Sequence, residues 1–509
     1  MISKIFSCAF IGLKSELVEI ESDIDGGFSK INIVGLPDAS ISESKDRISS
    51  ALKNSGFKLP RNKITINLAP ADLKKEGTLY DLPMAICILI MSKQVSNDFF
   101  SNSIFVGELA LDGRIRHING ALSVAIFAKE NGYENLFLPK CNSKEAGLVD
   151  GINIYPVENL LQIINHLNKI KFIKKEPYFD YKKLGSNESC VYDFKYIKGQ
   201  EFTKRALEIA AAGGHNILLS GSPGSGKTYL SRAMKSILPD MTKEEILEVS
   251  KIYSISGLLN SKKPLILNRP FRSPHHSSSM VSLVGGGSYP RPGEISLAHR
   301  GILFLDEFPE FSRGTLESLR QPLEDGIITI SRSKGTLEFP ASFILVASLN
   351  PCPCGYLGDS VKKCVCTPYQ IARYRNKISG PILDRIDMHI NVPRVDFNKM
   401  TVTSYEEASI EIKKRVNISR KIQINRFKNT NIFINSEMSL KDINEFCILD
   451  DDTMVFVKNA LSSLNLTARS YNRIIKISRT IADLDCEDTI LKCHVAESLQ
   501  YRDFMNNIE

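Results

Sequence analysis

The chain has 509 residues, of which 43% are hydrophobic and 24% charged, with a formal net charge of +8. This length predicts about three domains, and the balance of apolar and charged residues excludes a disordered or fibrous chain. No apolar run approaches the ~18 residues that cross a bilayer, so no membrane partner is expected. The positive charge permits contact with nucleic acid without requiring it.

At the start, the short apolar stretch Ile5 to Leu13 is followed at once by Glu16, Glu19 and Glu21 alternating with Leu17, Val18 and Ile20. That is strand patterning, and it argues against a signal peptide or a lipidated Cys8. Eleven cysteines without an export signal point to reduced thiols and a cytoplasmic location. Residues 1–167 alternate strand-like runs (Ile31 to Val34, Lys63 to Leu68, Ile104 to Leu109) with helical ones (Ser42 to Ser55, Leu82 to Ser92, Ala121 to Asn131), which predicts a separate α+β or α/β domain. Within it, Asp38-Ala39-Ser40-Ile41-Ser42 fits a D-x-S-x-S metal-adhesion pattern. The residues around it read as the solvent face of a helix that buries Ile41, Ile48 and Leu52, so the match is taken as accidental. Residues 168–192 turn Lys-rich and poor in aliphatic side chains, the composition of a linker.

From 193 to 400 the elements of a nucleotide-binding α/β core follow in order. Helix Thr203 to Ala212 precedes the apolar strand Ile217-Leu218-Leu219, and Gly221-Ser222-Pro223-Gly224-Ser225-Gly226-Lys227-Thr228 comes directly after it. This is the complete G-x-x-x-x-G-K-[ST] pattern in its proper context. Backbone N–H groups would close round the α/β-phosphates of ATP, Lys227 would reach the β/γ-phosphates, and the Thr228 hydroxyl would sit on Mg²⁺. Gly301-Ile302-Leu303-Phe304-Leu305-Asp306-Glu307 then looks like a Walker B strand. Asp306 would hold Mg²⁺ and Glu307 would polarise the attacking water. A third strand, Phe343 to Ala347, runs into Ser348-Leu349-Asn350-Pro351 and places a polar amide beside that pair; it resembles the sensor Asn that orients the attacking water in AAA+ ATPases, and it also suits a simple Asn-Pro turn.

Cys352, Cys354, Cys364 and Cys366 form C-x-C-x₉-C-x-C. Four thiolates on a short loop suit a closed, structural Zn²⁺ site, with free thiols as the alternative. His275 and His276 lack the i, i+4 spacing of a helical metal pair and have no carboxylate close in sequence, so they read as structural or as part of an insertion. Residues 401–509 carry mostly helical periodicity, as in Ala408 to Ile422 and Tyr471 to Leu484, which predicts an α-helical lid.

Together, Phe271-Arg272-Ser273-Pro274-His275-His276-Ser277, Leu283-Val284-Gly285-Gly286-Gly287, Arg291-Pro292-Gly293-Glu294-Ile295-Ser296-Leu297-Ala298-His299, the Asp306-Glu307 strand, Asn350-Pro351-Cys352-Pro353-Cys354-Gly355 and Ser379-Gly380-Pro381-Ile382-Leu383-Asp384-Arg385-Ile386-Asp387 closely resemble the ComM/YifB family of magnesium-chelatase-like AAA+ ATPases. The resemblance spans essentially the whole chain. It implies that Arg385 is an arginine finger reaching the γ-phosphate of a neighbouring subunit, and hence a homo-hexameric ring. A salt bridge to Asp384 or Asp387 is the other reading of Arg385. Arg469 matches the lid's second sensor, with Arg473 as competitor one helical turn on. The Gly285-Gly286-Gly287 run fits a flexible loop entering the ring's channel, and Arg272, Arg291 and Arg300 are candidates for contact with DNA phosphates.

Within the first domain, Lys75-Glu76-Gly77-Thr78-Leu79-Tyr80-Asp81-Leu82-Pro83 and Leu111 to Ser123 resemble the Lon-type protease fold. No Ser stands near Leu79 where its nucleophile would be, and Ser123 occupies the place of its Lys, so proteolysis is not expected. The family resemblance implies an ATP-driven motor promoting branch migration on single-stranded and branched DNA during recombination or natural transformation, working with recombination proteins. A magnesium-chelatase motor and a nucleotide-switched scaffold are the alternatives.

Overall fold

The computed structural model describes residues 3–96, 101–179, 191–259, 263–287, 291–332, 335–359, 361–394, 406–428, 430, 432–463 and 467–502. They fall into two compact units, Met1–Ser186 with Lys243–Leu267, and Asn187–Thr242 with Asn268–Glu509.

The first unit is built on a seven-stranded mixed sheet of β1 (Ser3–Ile11), β2 (Lys14–Asp25), β3 (Lys30–Val34), β4 (Lys63–Ala69), β5 (Ser103–Phe105), β8 (Asn135–Pro139) and β9 (Asn153–Val157), in the order β3-β4-β2-β1-β5-β8-β9. The run expected as one strand, Ile104 to Leu109, is split. After β5 the chain turns at Gly107, where a Cβ would lie 2.9 Å from Ile115 Cγ2, and Glu108–Leu109 (β6) pairs instead with Ile115–Arg116 (β7). Helix Ala39–Asn54 buries Ile41, Ile48, Ala51 and Leu52 on one face, as its periodicity requires. The Asp38 carboxylate caps it by accepting from the Ile41 amide at 2.8 Å, which gives the D-x-S-x-S aspartate a structural use. Ser123 is buried, with no hydrogen-bond partner for its hydroxyl among the described residues.

Two boundaries differ from those the composition suggests. Residues 168–179 are not free linker, because Ile173 enters the core, its amide donates to His166 Nδ1 and Glu176 bridges to Ile154. The rest of that segment, 180–190, lies outside the described residues. Helix Lys243–Ile255, expected inside a continuous 193–400 core, belongs to the first unit. The Ser254 hydroxyl donates to the buried Glu145 carboxylate, the Gly120 amide donates to the Ser254 carbonyl at 3.2 Å, and Leu265 completes the core. Burial pushes the Glu145 carboxyl above the usual range, against the hydrogen bonds of Ser254, Asn142 and the Leu122 amide.

The second unit carries a five-stranded sheet whose adjacent pairs are all parallel. Its strands are β10 (Ile217–Ser220), β11 (Phe271–Arg272), β14 (Ile302–Leu305), β17 (Ile344–Leu349) and β18 (Met388–Asn391), in the order β11-β14-β17-β10-β18. Four short strands, β12 (Gly285–Gly286) with β13 (Arg291–Pro292) and β15 (Ile327–Arg332) with β16 (Gly335–Pro340), form separate antiparallel hairpins. Leu219, Ile302, Phe304, Val346 and Ile390 fill the core beneath the sheet. Because neighbouring strands are parallel, the loops leaving β10, β14 and β17 emerge at one edge, where ligands of open α/β sheets bind. The lid helices Ser409–Arg426, Leu440–Phe446, Asp451–Ser463, Ala468–Leu484 and Lys492–Gln500 follow, as the periodicity anticipates; residues 401–405 lie outside the described residues. Helix Ala468–Leu484 joins two cores, sending Ile477 and Ile481 towards the sheet and Ile474 and Ile475 into the lid's own cluster.

Two of the buried histidines of this unit, His215 and His389, are shifted furthest. His215 shares a 2.8 Å hydrogen bond with Thr480 Oγ1, and burial pulls its pKa from 6.5 down to about 4, against the opposing pull of Asp387. Burial does the same to His389, also to about 4. Both are therefore neutral in the fold, while the unfolded chain takes up their protons below about pH 6.5. Their contribution is complete above pH 6.5 and is lost as the pH falls towards 4. Between pH 7 and pH 5 the pair is expected to reduce stability by about 4 kcal/mol, measurable as a fall in the urea midpoint. A midpoint unchanged over that interval would contradict it.

Candidate functional site

The phosphate loop starts where β10 ends, and its glycines are there for geometric reasons. A Cβ at Gly221 would sit 2.4 Å from the Val392 carbonyl, while Gly224 and Gly226 take φ of +80° and +90°, the left-handed region that L side chains rarely adopt. Gly226 leads into helix Lys227–Ile237, whose first N–H groups face the loop. The Lys227 ammonium donates to the carbonyls of Gly221 (2.6 Å) and Ser222 (3.0 Å) and to Asn350 Oδ1 (3.3 Å). Burial lowers its pKa, opposed by the Asp306 charge. Thr228 Oγ1 donates to Asp306 Oδ2 at 3.0 Å, and the Ser348 hydroxyl and the Glu307 amide donate to Asp306 Oδ1.

Three strands of the sheet thus deliver Lys227, Thr228, Asp306 and Asn350 to one place. Ser225 Oγ is buried there with no hydrogen-bond partner among the described residues. The cluster of inward N–H groups, one ammonium and a hydroxyl–carboxylate pair is the donor set that a nucleotide triphosphate with Mg²⁺ needs.

Glu307 stands at the rim with φ +52° and a side chain 56% exposed. A non-glycine residue in that conformation is strained, and such strain gathers at functional sites. Its Oε2 lies 3.3 Å from His276 Nδ1. No carboxylate lies close to His276 in sequence. The structure supplies one, because β11 and β14 are parallel neighbours and the loop after β11 therefore ends beside the loop after β14. Gln200 was missed altogether. Held at φ +61°, it donates from Nε2 to the Ser225 carbonyl (2.7 Å) and the Pro393 carbonyl (3.2 Å), fixing the loop from outside.

Arg385 and Arg469 form a second group. Arg385 pairs with Glu324, not with Asp384 or Asp387, through Nε at 3.1 Å and a closer Nη2 contact, and its Nη1 donates to the Pro381 carbonyl at 2.8 Å. Arg469 Nη2 lies 3.9 Å from the other oxygen of Glu324, whose carboxyl the Arg385 hydrogen bond holds below its usual range. Arg473, its competitor, faces Asp387 instead, with Nη1 3.0 Å from Oδ1. Of the arginines suggested for DNA phosphates, Arg272 is forked onto Glu294 by two 2.6 Å bonds and Arg300 pairs with Glu437 over the Phe433 ring. Both are thus held by carboxylates of the fold, while Arg291 is exposed. The glycine run is a hairpin strand rather than a loose loop: Gly285 and Gly286 pair with Pro292 and Arg291, and exposed Met280 and Val281 precede them on helix Met280–Val284. Residues 288–290 lie outside the described residues.

The four cysteines also converge. Cys352 Sγ is 3.3 Å from Cys354 Sγ and 3.7 Å from Cys364 Sγ, Cys354 Sγ is 3.6 Å from Cys364 Sγ, and all four sulfurs lie within 4.8 Å of one another. Tetrahedral thiolates around Zn²⁺ stand about 3.8 Å apart, so the cluster is of a size to hold a metal ion. Backbone amides of Tyr356 and then Val365 draw the Cys354 thiol down to about 6.

Comparison with known proteins agrees in extent and order. The family described as "Magnesium chelatase, subunit ChlI" matches residues 193–400, "Subunit ChlI of Mg-chelatase" matches 20–142, and "Magnesium chelatase, subunit ChlI C-terminal" matches 406–502. The chain is 43% identical over 506 residues to the competence protein ComM of Haemophilus influenzae, covering 98% of this chain and 97% of that one. It is 40% identical over 502 residues to the YifB protein of Escherichia coli, with 98% and 97% covered. Similarity to the magnesium-chelatase 67 kDa subunit of Heliobacterium mobile is 26% over 223 residues, 38% of this chain and 30% of that one.

Proposed function

Because the chain belongs to the ComM/YifB family of magnesium-chelatase-like AAA+ ATPases, and so uses ATP and Mg²⁺, we propose that it is a hexameric DNA motor promoting branch migration during recombination or natural transformation. The observation that carries this is the full-length similarity to a protein named for competence. Lys227 and the N–H groups of Gly221 to Thr228 bind the phosphates, while Thr228 and Asp306 hold Mg²⁺. Glu307 accepts the proton of the attacking water, and Asn350 orients that water. Arg385 of the neighbouring subunit, assisted by Arg469 of the lid, neutralises charge developing on the γ-phosphate. The hairpin of β12 and β13, with Met280, Val281 and Arg291, is the part that would move along a DNA strand.

Its test is ATP turnover with and without single-stranded and four-way-junction DNA. Stimulation by either is expected; none by any DNA would sink the motor reading. A magnesium-chelatase motor has the family descriptions in its favour, but the similarity to the Heliobacterium mobile subunit covers only 38% of this chain. The ion of the four-thiol cluster is Zn²⁺ in this reading. Metal analysis under reducing, chelator-free conditions is expected to find about one zinc per chain.

No helix among the described residues is long and apolar enough to cross a membrane. The cytoplasm, with its reduced thiols, remains the proposed location.

A further inference from the structure

The cysteine cluster and the phosphate loop touch. Gly355, directly after Cys354, takes φ +84° and lies so close to Pro223 that a Cβ would stand 2.6 Å from the ring Cδ and 2.7 Å from Cγ, with Asn350 Cγ at 3.8 Å. On the other side of the loop, the Asp359 carboxylate is 1% exposed. Its Oδ1 accepts from the amides of Val361 (2.8 Å) and Lys362 (2.9 Å), on the arm that leads to Cys364. The Lys362 amide, then the adjoining Ser222 hydroxyl and the Val361 amide, with Arg394 Nη1 3.9 Å from Oδ1, hold this carboxylate down at about 2. Asn350, which accepts from Lys227, stands two residues before Cys352.

The described residues of 352–366 hold no helix or strand, and apart from its turn bonds and the amides on Asp359 it is the four sulfurs that bring the two ends of this loop together. Thiolates this close repel one another unless a cation lies between them. We propose that a soft divalent ion held by Cys352, Cys354, Cys364 and Cys366 closes the outer wall of the phosphate cradle, so that nucleotide affinity depends on the ion. The wall is Gly355 against Pro223 and Asp359 against Ser222. The inference rests on the zinc reading above and adds a consequence for ATP binding, because a loop held in its binding shape has less ordering to do when the nucleotide arrives.

The experiment uses the full chain and a fluorescent ADP analogue at saturating Mg²⁺. Zinc content and nucleotide Kd are measured together on the protein as purified, after a zinc-selective chelator, and after reloading with Zn²⁺ or Cd²⁺. Stripping is expected to raise Kd roughly tenfold and reloading to restore it. Gly355→Ala and Asp359→Asn are expected to raise Kd while keeping the ion, which holds the test open if the stripped chain unfolds. An ion retained in both variants with unchanged Kd overturns the coupling alone. No ion in the purified protein overturns the metal reading, and the coupling with it.

Discussion

Glu307→Gln is expected to bind nucleotide as the parent chain does and to turn it over about 10²–10⁴-fold more slowly, the usual worth of a positioned general base. Glutamine has nearly the same shape, so the side chain can keep its place at the rim and its contact with His276. It cannot take a proton. The strained backbone at residue 307 is retained too, which keeps the comparison one of chemistry rather than of geometry. Lys227→Ala makes the contrast, because it removes the ammonium that spans Gly221, Ser222 and Asn350 and should abolish binding itself. Equilibrium nucleotide binding and steady-state turnover, measured on both variants, separate the two effects. Turnover within threefold of the parent in Glu307→Gln would remove Glu307 from the chemistry.

Arg385→Ala should lose about 10³–10⁵ in turnover while still binding nucleotide, if its guanidinium acts on the neighbour's phosphate. The structure gives that arginine a resting partner in Glu324, so loss of activity alone would not distinguish a finger from a structural ion pair. Mixing does. A Lys227→Ala chain retains the finger, and an Arg385→Ala chain retains the cradle. In a randomly mixed ring about one interface in four pairs an intact cradle with an intact finger, so two inactive preparations should regain activity when combined. No recovery on mixing would show that Arg385 acts within its own chain. Glu324→Gln serves as the control, since it breaks the ion pair and leaves the arginine in place.

The parts of the site that could be read from sequence are those fixed by local spacing. Gly221 to Thr228 follows an apolar strand, and Asp306-Glu307 and Asn350 close two more. Once the sheet is parallel, strand ends collect on one side whatever the intervening loops do. Residues that meet by tertiary packing left no such trace. Glu324 lies 61 residues from Arg385, and His276 meets Glu307 only because β11 and β14 are neighbours. Gln200, Gly355 and Asp359 support the phosphate loop from outside it, where no motif spacing applies. Arg272 and Arg300, read from sequence as candidates for DNA contact or for packing, show the converse. Arg272 and Arg300 have the right charge in the right insert, but each has a carboxylate within hydrogen-bond reach that the sequence alone does not place there. The C-x-C pairs were legible as a cluster, since short loops bring their own ends together.

Helix Lys243–Ile255 bears on the order in which the protein is made. The first unit is missing a piece of its core until that helix and Leu265 have left the ribosome, by which time β10 and the phosphate loop have already emerged. Vectorial synthesis usually lets an N-terminal domain fold before its successor begins. Here the early unit must wait with the helix's berth open while the later unit starts, and a chain ended at Ser186 would carry the whole amino-terminal stretch yet never complete it. The two units are therefore interleaved along the chain, and a cut anywhere between Ser186 and Lys243 parts the first unit from its own helix.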